Sequence, residues 1–128
     1  KLISLNCTNW DVSNVTSMTN IFYACDAITD LGDLSNWNVG KVTDFGFAFR
    51  RTGKLLSIGN ISNWNVKSSN SFRYMFFQSG LTSIDMSNWV FDEEKTTTIN
   101  FGGMFGDARN LIEIMGLERF PMHRGKYR

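Results

Sequence analysis

Histidine and proline are nearly missing from this chain of 128 residues: His123 and Pro121 are the only ones, both within the last eight positions. A single terminal histidine removes multi-histidine zinc sites and His-based catalytic triads. Cysteine is scarce as well. Cys7 and Cys25 stand 18 residues apart with no CxxC pair, at positions where the rest of the chain carries other apolar or small residues. They read as buried thiols acting as small hydrophobes, although a disulfide between them stays open. No apolar run approaches the ~20 residues of a membrane span. Charge of one sign is lacking too, since the formal net charge is only +1. Residues 1–118 hold nine Lys or Arg against twelve Asp or Glu, whereas 119–128 hold Arg119, Arg124, Lys126 and Arg128 with no acid. That basic tail is expected to be a solvated end and not a nucleic-acid contact. With neither a signal peptide nor an initiator Met, the chain is expected to be a processed product or an excised piece.

What the chain has in abundance is itself. Trp10, Trp37, Trp64 and Trp89 follow one another at 27, 27 and 25 residues, and Phe120 takes the same place 31 further on. Phe22, Phe49 and Phe76 each lie 12 residues after their tryptophan, and Phe105 lies 16 after Trp89 because "DEEKTTT" intervenes. Such a period is read before anything else, because a repeat unit decides the fold. Apolar residues before each aromatic, as in "LTSIDMSNW", alternate like a short half-buried strand. Strands are expected near Leu2–Cys7, Thr29–Leu34, Leu56–Ile61, Thr82–Met86 and Ile112–Leu117. Gly32, Gly59 and Gly116 accompany an extra residue, a bulge that glycine tolerates at positive φ. Met18, Ile21, Phe22 and Cys25, spaced i, i+3, i+4, i+7, and their counterparts predict a short helix after each of the first four strands. Ser17, Asp44, Ser71 and Asn100 stand where N-caps belong. One strand and one two-turn helix cannot bury an apolar side alone, so the expectation is an α/β solenoid of about 4.5 stacked coils. A column of Trp10, Trp37, Trp64 and Trp89 would run inside it, beside a buried column of Asn9, Asn36, Asn63 and Asn88. The domain reading is one repeat unit over 1–120 and a basic tail over 121–128.

The words of the repeat, best kept in "NWDVSNVTSMTNIFYAC", resemble the BspA-like bacterial surface leucine-rich repeat family, including its mycoplasmal lipoprotein type. The likeness covers Leu2 to Phe120. It loosens at Ser69, which stands where Val15 and Val42 sit, and at Arg119, which replaces the asparagine of the last unit. The resemblance implies a leucine-rich-repeat-like fold, an extracellular or cell-surface location, a recognition or adhesion role, and no enzyme chemistry.

The sequence carries no recognisable motif for chemistry. "FGGMFG" lacks the Lys-Ser/Thr of a phosphate loop, and Asp92, Glu93 and Glu94 lack the alternating oxygen ligands of a calcium loop. No metal site and no cofactor is expected, nor any set that could supply nucleophile, base and oxyanion donor together. The favoured function is a non-catalytic module binding a protein or glycan through its strand face; the alternative is a structural subunit or spacer of a cell envelope, appendage or virus particle. The outward strand positions carry the candidate site: Ser4, Asn6, Asp30, Asp33, Ser57, Asn60, Ser83, Asp85 and Glu113. They form a mildly acidic strip suited to a basic or hydroxyl-rich partner. The first strand would leave an unpaired edge, to be covered by neighbouring repeats or another subunit.

Overall fold

A computed structural model describes residues 1–121; the expectations for the tail, His123 included, otherwise lie outside the described residues. Backbone hydrogen bonds tie each pass of the chain to the next at about one sequence period. The amides of Met18, Asn20, Phe22 and Ala24 donate to the carbonyls of Asp44, Gly46, Ala48 and Arg50; those of Phe45, Phe47, Phe49 and Arg51 to Ser71, Arg73, Met75 and Phe77; and those of Phe72, Tyr74, Phe76 and Gln78 to Asn100, Gly102, Met104 and Gly106.

The α/β assignment is overturned, and with it the leucine-rich-repeat solenoid of strand-plus-helix coils. Among the described residues there is no α-helix, and the only strands are β1 (Ser83–Asp85) and β2 (Glu113–Met115), paired in parallel with Ser83 opposite Glu113. Two single-turn 3-10 segments, Glu93–Lys95 and Leu117–Arg119, complete the regular structure. Turns and irregular chain make up the rest.

Why the apolar i, i+3, i+4 spacing makes no helix is visible in the backbone. An α-helix needs each amide to reach the carbonyl four residues back. Here alternate amides leave sideways for the next pass, and those between them turn back only three residues, as Ile21 does to Met18, Tyr23 to Asn20 and Cys25 to Phe22. Asn20, Ala24, Phe47, Arg51, Tyr74, Gln78 and Asp107 hold φ between 51° and 63°, the left-handed region that breaks a right-handed helix and that the third residue of a type II turn requires. The expected N-caps act without a helix behind them. Asp44 Oδ1 accepts the Gly46 amide at 2.7 Å and Asn100 Oδ1 the Gly102 amide at 2.8 Å, while Ser17, Asp44, Ser71 and Asn100 bridge one another in a row.

A similar competition shortens the strands. Asp30 Oδ1 takes the Gly32 amide at 2.7 Å and Ser57 Oγ the Gly59 amide at 3.1 Å, so side chains capture donors that a sheet ladder would use. Only a single bridge, Ser4 to Asp30, survives in the first two expected strands, and the third forms none. Gly32, Gly59 and Gly116 have φ of 80°, 87° and 92°. A side chain at Gly32 would collide with Thr8 and Asn6, and one at Gly59 with Asp33. Between Thr82 and Met86 no glycine intervenes, and there β1 forms.

Aromatic rings hold the passes together. Trp10, Trp37 and Trp64 stack at 6.3 Å steps, Phe22, Phe49 and Phe76 at 5.6 Å, and Phe45, Phe72 and Phe101 at 5.6 and 5.5 Å. Such offset stacks add to the burial of large apolar surface. The indole N–H groups of Trp37, Trp64 and Trp89 donate at 2.9 Å to the carbonyls of Cys7, Leu34 and Ile61 in the preceding pass. Trp10 departs from the expected internal column, being 43% exposed where Trp37 is 4%. The asparagines Asn9, Asn36, Asn63 and Asn88 are exposed, which corrects the buried column: local turns and tryptophan indoles satisfy the backbone groups they were expected to serve. Ser69, the departure from valine, is buried and donates its hydroxyl to the Val42 carbonyl at 2.6 Å.

Candidate functional site

Eight of the nine predicted site residues are exposed and Asp85 is half-buried. Three contacts join them across passes: the Ser4–Asp30 bridge, the Ser83–Glu113 pairing in the sheet, and a side-chain bond from Asn60 to Asp85. Most also do structural work. Asn6, Asp30, Asp33, Ser57, Asn60 and Asp85 each accept the backbone amide two residues ahead. Bonds from Ser35 and Ser87 hold the Asp33 and Asp85 carboxyls below the usual carboxylate range. The two ion pairs formed among the described residues, Arg51–Asp26 and Arg109–Asp107, use none of the strip's acids.

A second cluster escaped the sequence reading. The Arg50 guanidinium carbon lies 5.5 Å from the ring centres of Tyr23 and Phe47, 5.4 Å from Tyr74 and 5.1 Å from Phe77. Arg73 stands 5.5 Å over Phe47 and 5.3 Å over Tyr74. Phe47 and Tyr74 stack at 5.4 Å, and Tyr74 meets Phe77 edge-on at 5.3 Å. Gly103 and Gly106, at the same places in the following pass, leave room beneath Tyr74 and Phe77, whose rings a side chain there would strike. Its signal in the sequence is the pair of columns 20/47/74/103 and 23/50/77/106, which lie off the i, i+3, i+4 apolar stripe.

The thiols are free; Cys7 is buried, Cys25 half-buried, and burial pushes both pKa values up, away from the reactive thiolate. Among the described residues no three His, Cys, Asp or Glu side chains gather to hold a metal ion, and no helix is long and apolar enough to cross a membrane.

Layered turns in sequence register, presenting side-chain columns on a fixed backbone, define a repeat-built protein of turns. The chain belongs to the family described as "Mycoplasma protein of unknown function, DUF285", whose model matches residues 1–115. That description assigns no function, so the adhesion role implied by the sequence likeness finds no support in it. No curated protein and no solved structure matches the chain.

Proposed function

We propose that this protein is a non-catalytic recognition module acting outside the cell, which holds a protein or glycan partner on the strip from Ser4 to Glu113. The observation that supports this reading is the strip's cross-linked register, with outward polar groups tied to the backbone and to one another between passes. Groups fixed in advance lose little freedom on binding. Asp30, Asp33, Asp85 and Glu113 form no ion pair among the described residues, which suits a basic protein patch or a hydroxyl-rich sugar. The likeness of "NWDVSNVTSMTNIFYAC" to BspA-like bacterial surface repeats favours an exported location. The test replaces Asp30, Asp33 and Asp85 by Asn and Glu113 by Gln. Asparagine keeps the oxygen that accepts the local amide, so the turns persist while the charge goes. Binding to an immobilised lysine-rich peptide and to neutral glycans is expected to fall at least tenfold for the peptide; unchanged or absent binding rejects the strip.

The second reading, a subunit or spacer of a cell envelope, appendage or virus particle, is favoured by one observation. The first pass is bare: Leu2 and Ile3 are 59% and 61% exposed, and the carbonyls of Ser17, Thr19, Ile21 and Tyr23 accept no backbone amide among the described residues. Neighbouring repeats or a second subunit would cover it. Sedimentation across a concentration series tests this: a monomer at every concentration, with that edge still exchanging freely with solvent, argues against it.

A further inference from the structure

The columns that carry Arg50 and Arg73 contain a feature that packing alone does not require. In the first and fourth passes the left-handed position before the Tyr23 and Gly106 sites is filled by Asn20 and Gly103, residues that adopt positive φ at small cost. In the two middle passes it is filled by Phe47 and Tyr74, with φ of 61° and 53°. Bulky side chains there are strained, and strain retained at a surface marks a place where side-chain chemistry outweighs backbone comfort. What the strained rings do is enclose Arg50 and flank Arg73.

Neither guanidinium has a carboxylate partner among the described residues, and the buried Nε of Arg50 has no hydrogen-bond partner. Rings occupy the faces of a guanidinium and leave its N–H edge for a bidentate acceptor. Both guanidinium carbons lie within 5.5 Å of the centres of the same two rings, Phe47 and Tyr74. Three passes separated by two steps of ~4.8 Å span ~10 Å. That length suits a short stretch of saccharide better than a folded acidic surface, and a cluster in which Tyr23 is exposed and Phe47, Tyr74 and Phe77 are half-buried offers rings and phenol groups that suit a sugar's mixed apolar and hydroxyl faces.

We propose that Arg50 and Arg73, set among Tyr23, Phe47, Tyr74 and Phe77, form a binding site for an acidic saccharide, its carboxylate or sulfate group held by the guanidinium edges. The site is separate from the strip between Ser4 and Glu113 and does not depend on it.

The experiment titrates the full chain with polygalacturonate, dextran sulfate, neutral dextran and polyglutamate. Binding to at least one acidic polysaccharide is expected, with neutral dextran and polyglutamate at least tenfold weaker. Arg73→Gln, at an exposed position, and Arg50→Lys, which keeps charge but loses the planar fork, are each expected to weaken that binding at least tenfold. Tyr74→Asn separates this site from a structural cage: asparagine suits the left-handed position, so the melting temperature should hold or rise while saccharide binding falls. Polyglutamate bound as tightly as the polysaccharides would point to an acidic protein and overturn the proposal. So would no binding to either acidic polysaccharide, variants that bind like the native chain, or a Tyr74→Asn chain that melts earlier yet binds normally.

Discussion

The first and last passes of the chain are built from the same words and end differently. At the first, Trp10 stacks on Trp37, Leu2 and Ile3 stand in solvent, and the carbonyls of Ser17, Thr19, Ile21 and Tyr23 meet no backbone amide among the described residues. At the last, Phe120 replaces the tryptophan and packs 4.7 Å from Phe101, 5.2 Å from Phe91 and 6.4 Å from Phe105. The 3-10 turn Leu117–Arg119 brings it there, entered through Gly116 at φ 92°, where a side chain would strike the Met86 backbone. The pattern makes an interior only when something lies on both sides of it. Where the sequence departs from the pattern, with Arg119 for asparagine and a break at Pro121, the departure folds Phe120 over the neighbouring rings as a lid; where it keeps the pattern, in the first pass, Leu2, Ile3 and Trp10 are exposed.

The largest effect expected is in neither end. Trp64→Ala removes a ring that is 2% exposed, stacked on Trp37 and Phe45 and bonded to the Leu34 carbonyl; a loss of ~3–5 kcal/mol is expected in a urea titration. Trp10→Ala, at the open end, is expected to cost under ~1.5 kcal/mol, because much of that ring is already in water. Equal costs would mean that the first pass is buried in solution, and so covered by another copy.

Phe120→Ala tests the lid. Phe120 is half-buried, so about half the usual cost of a core phenylalanine, ~2 kcal/mol, is expected. Amide exchange should quicken at β1 and β2 before it does around Phe49. Uniform quickening would show that the chain opens as one unit and that the lid has no local role.

How far the sequence revealed this molecule depends on which link is asked. Periodicity located the interior tryptophans and the glycines at positive φ, because both follow from the spacing of unlike residues. It misjudged the helices, because i, i+3, i+4 apolar spacing serves consecutive turns as well as a helix, and only the destination of the amides of Asn20, Phe22 and Ala24 separates the two. The strands failed for a similar reason: Asp30, Ser57 and Asn60 read from the sequence as outward side chains free to meet a partner, yet each bonds its own turn. The Arg50 cluster was hidden because its members look like variable surface until Phe47 and Tyr74 are seen in the left-handed region.

The smallest effect separates the ends most cleanly, because it changes only one proton donor and part of a ring. Trp37 donates its indole N–H to the Cys7 carbonyl at 2.9 Å in a buried setting, and Trp37→Phe leaves that carbonyl only the Trp10 amide at 3.0 Å, a cost of ~0.5–1.5 kcal/mol before the lost ring area is counted. The Trp10 indole has no such acceptor among the described residues. Trp10→Phe should therefore stay within ~0.5 kcal/mol, as exposed substitutions away from special contacts do. Both variants are to be melted at low and at high protein concentration. If Trp10→Phe turns costly only at high concentration, a neighbouring copy is supplying the missing carbonyl and the subunit reading gains; if it costs as much as Trp37→Phe in the dilute monomer, the open end described here does not exist in solution.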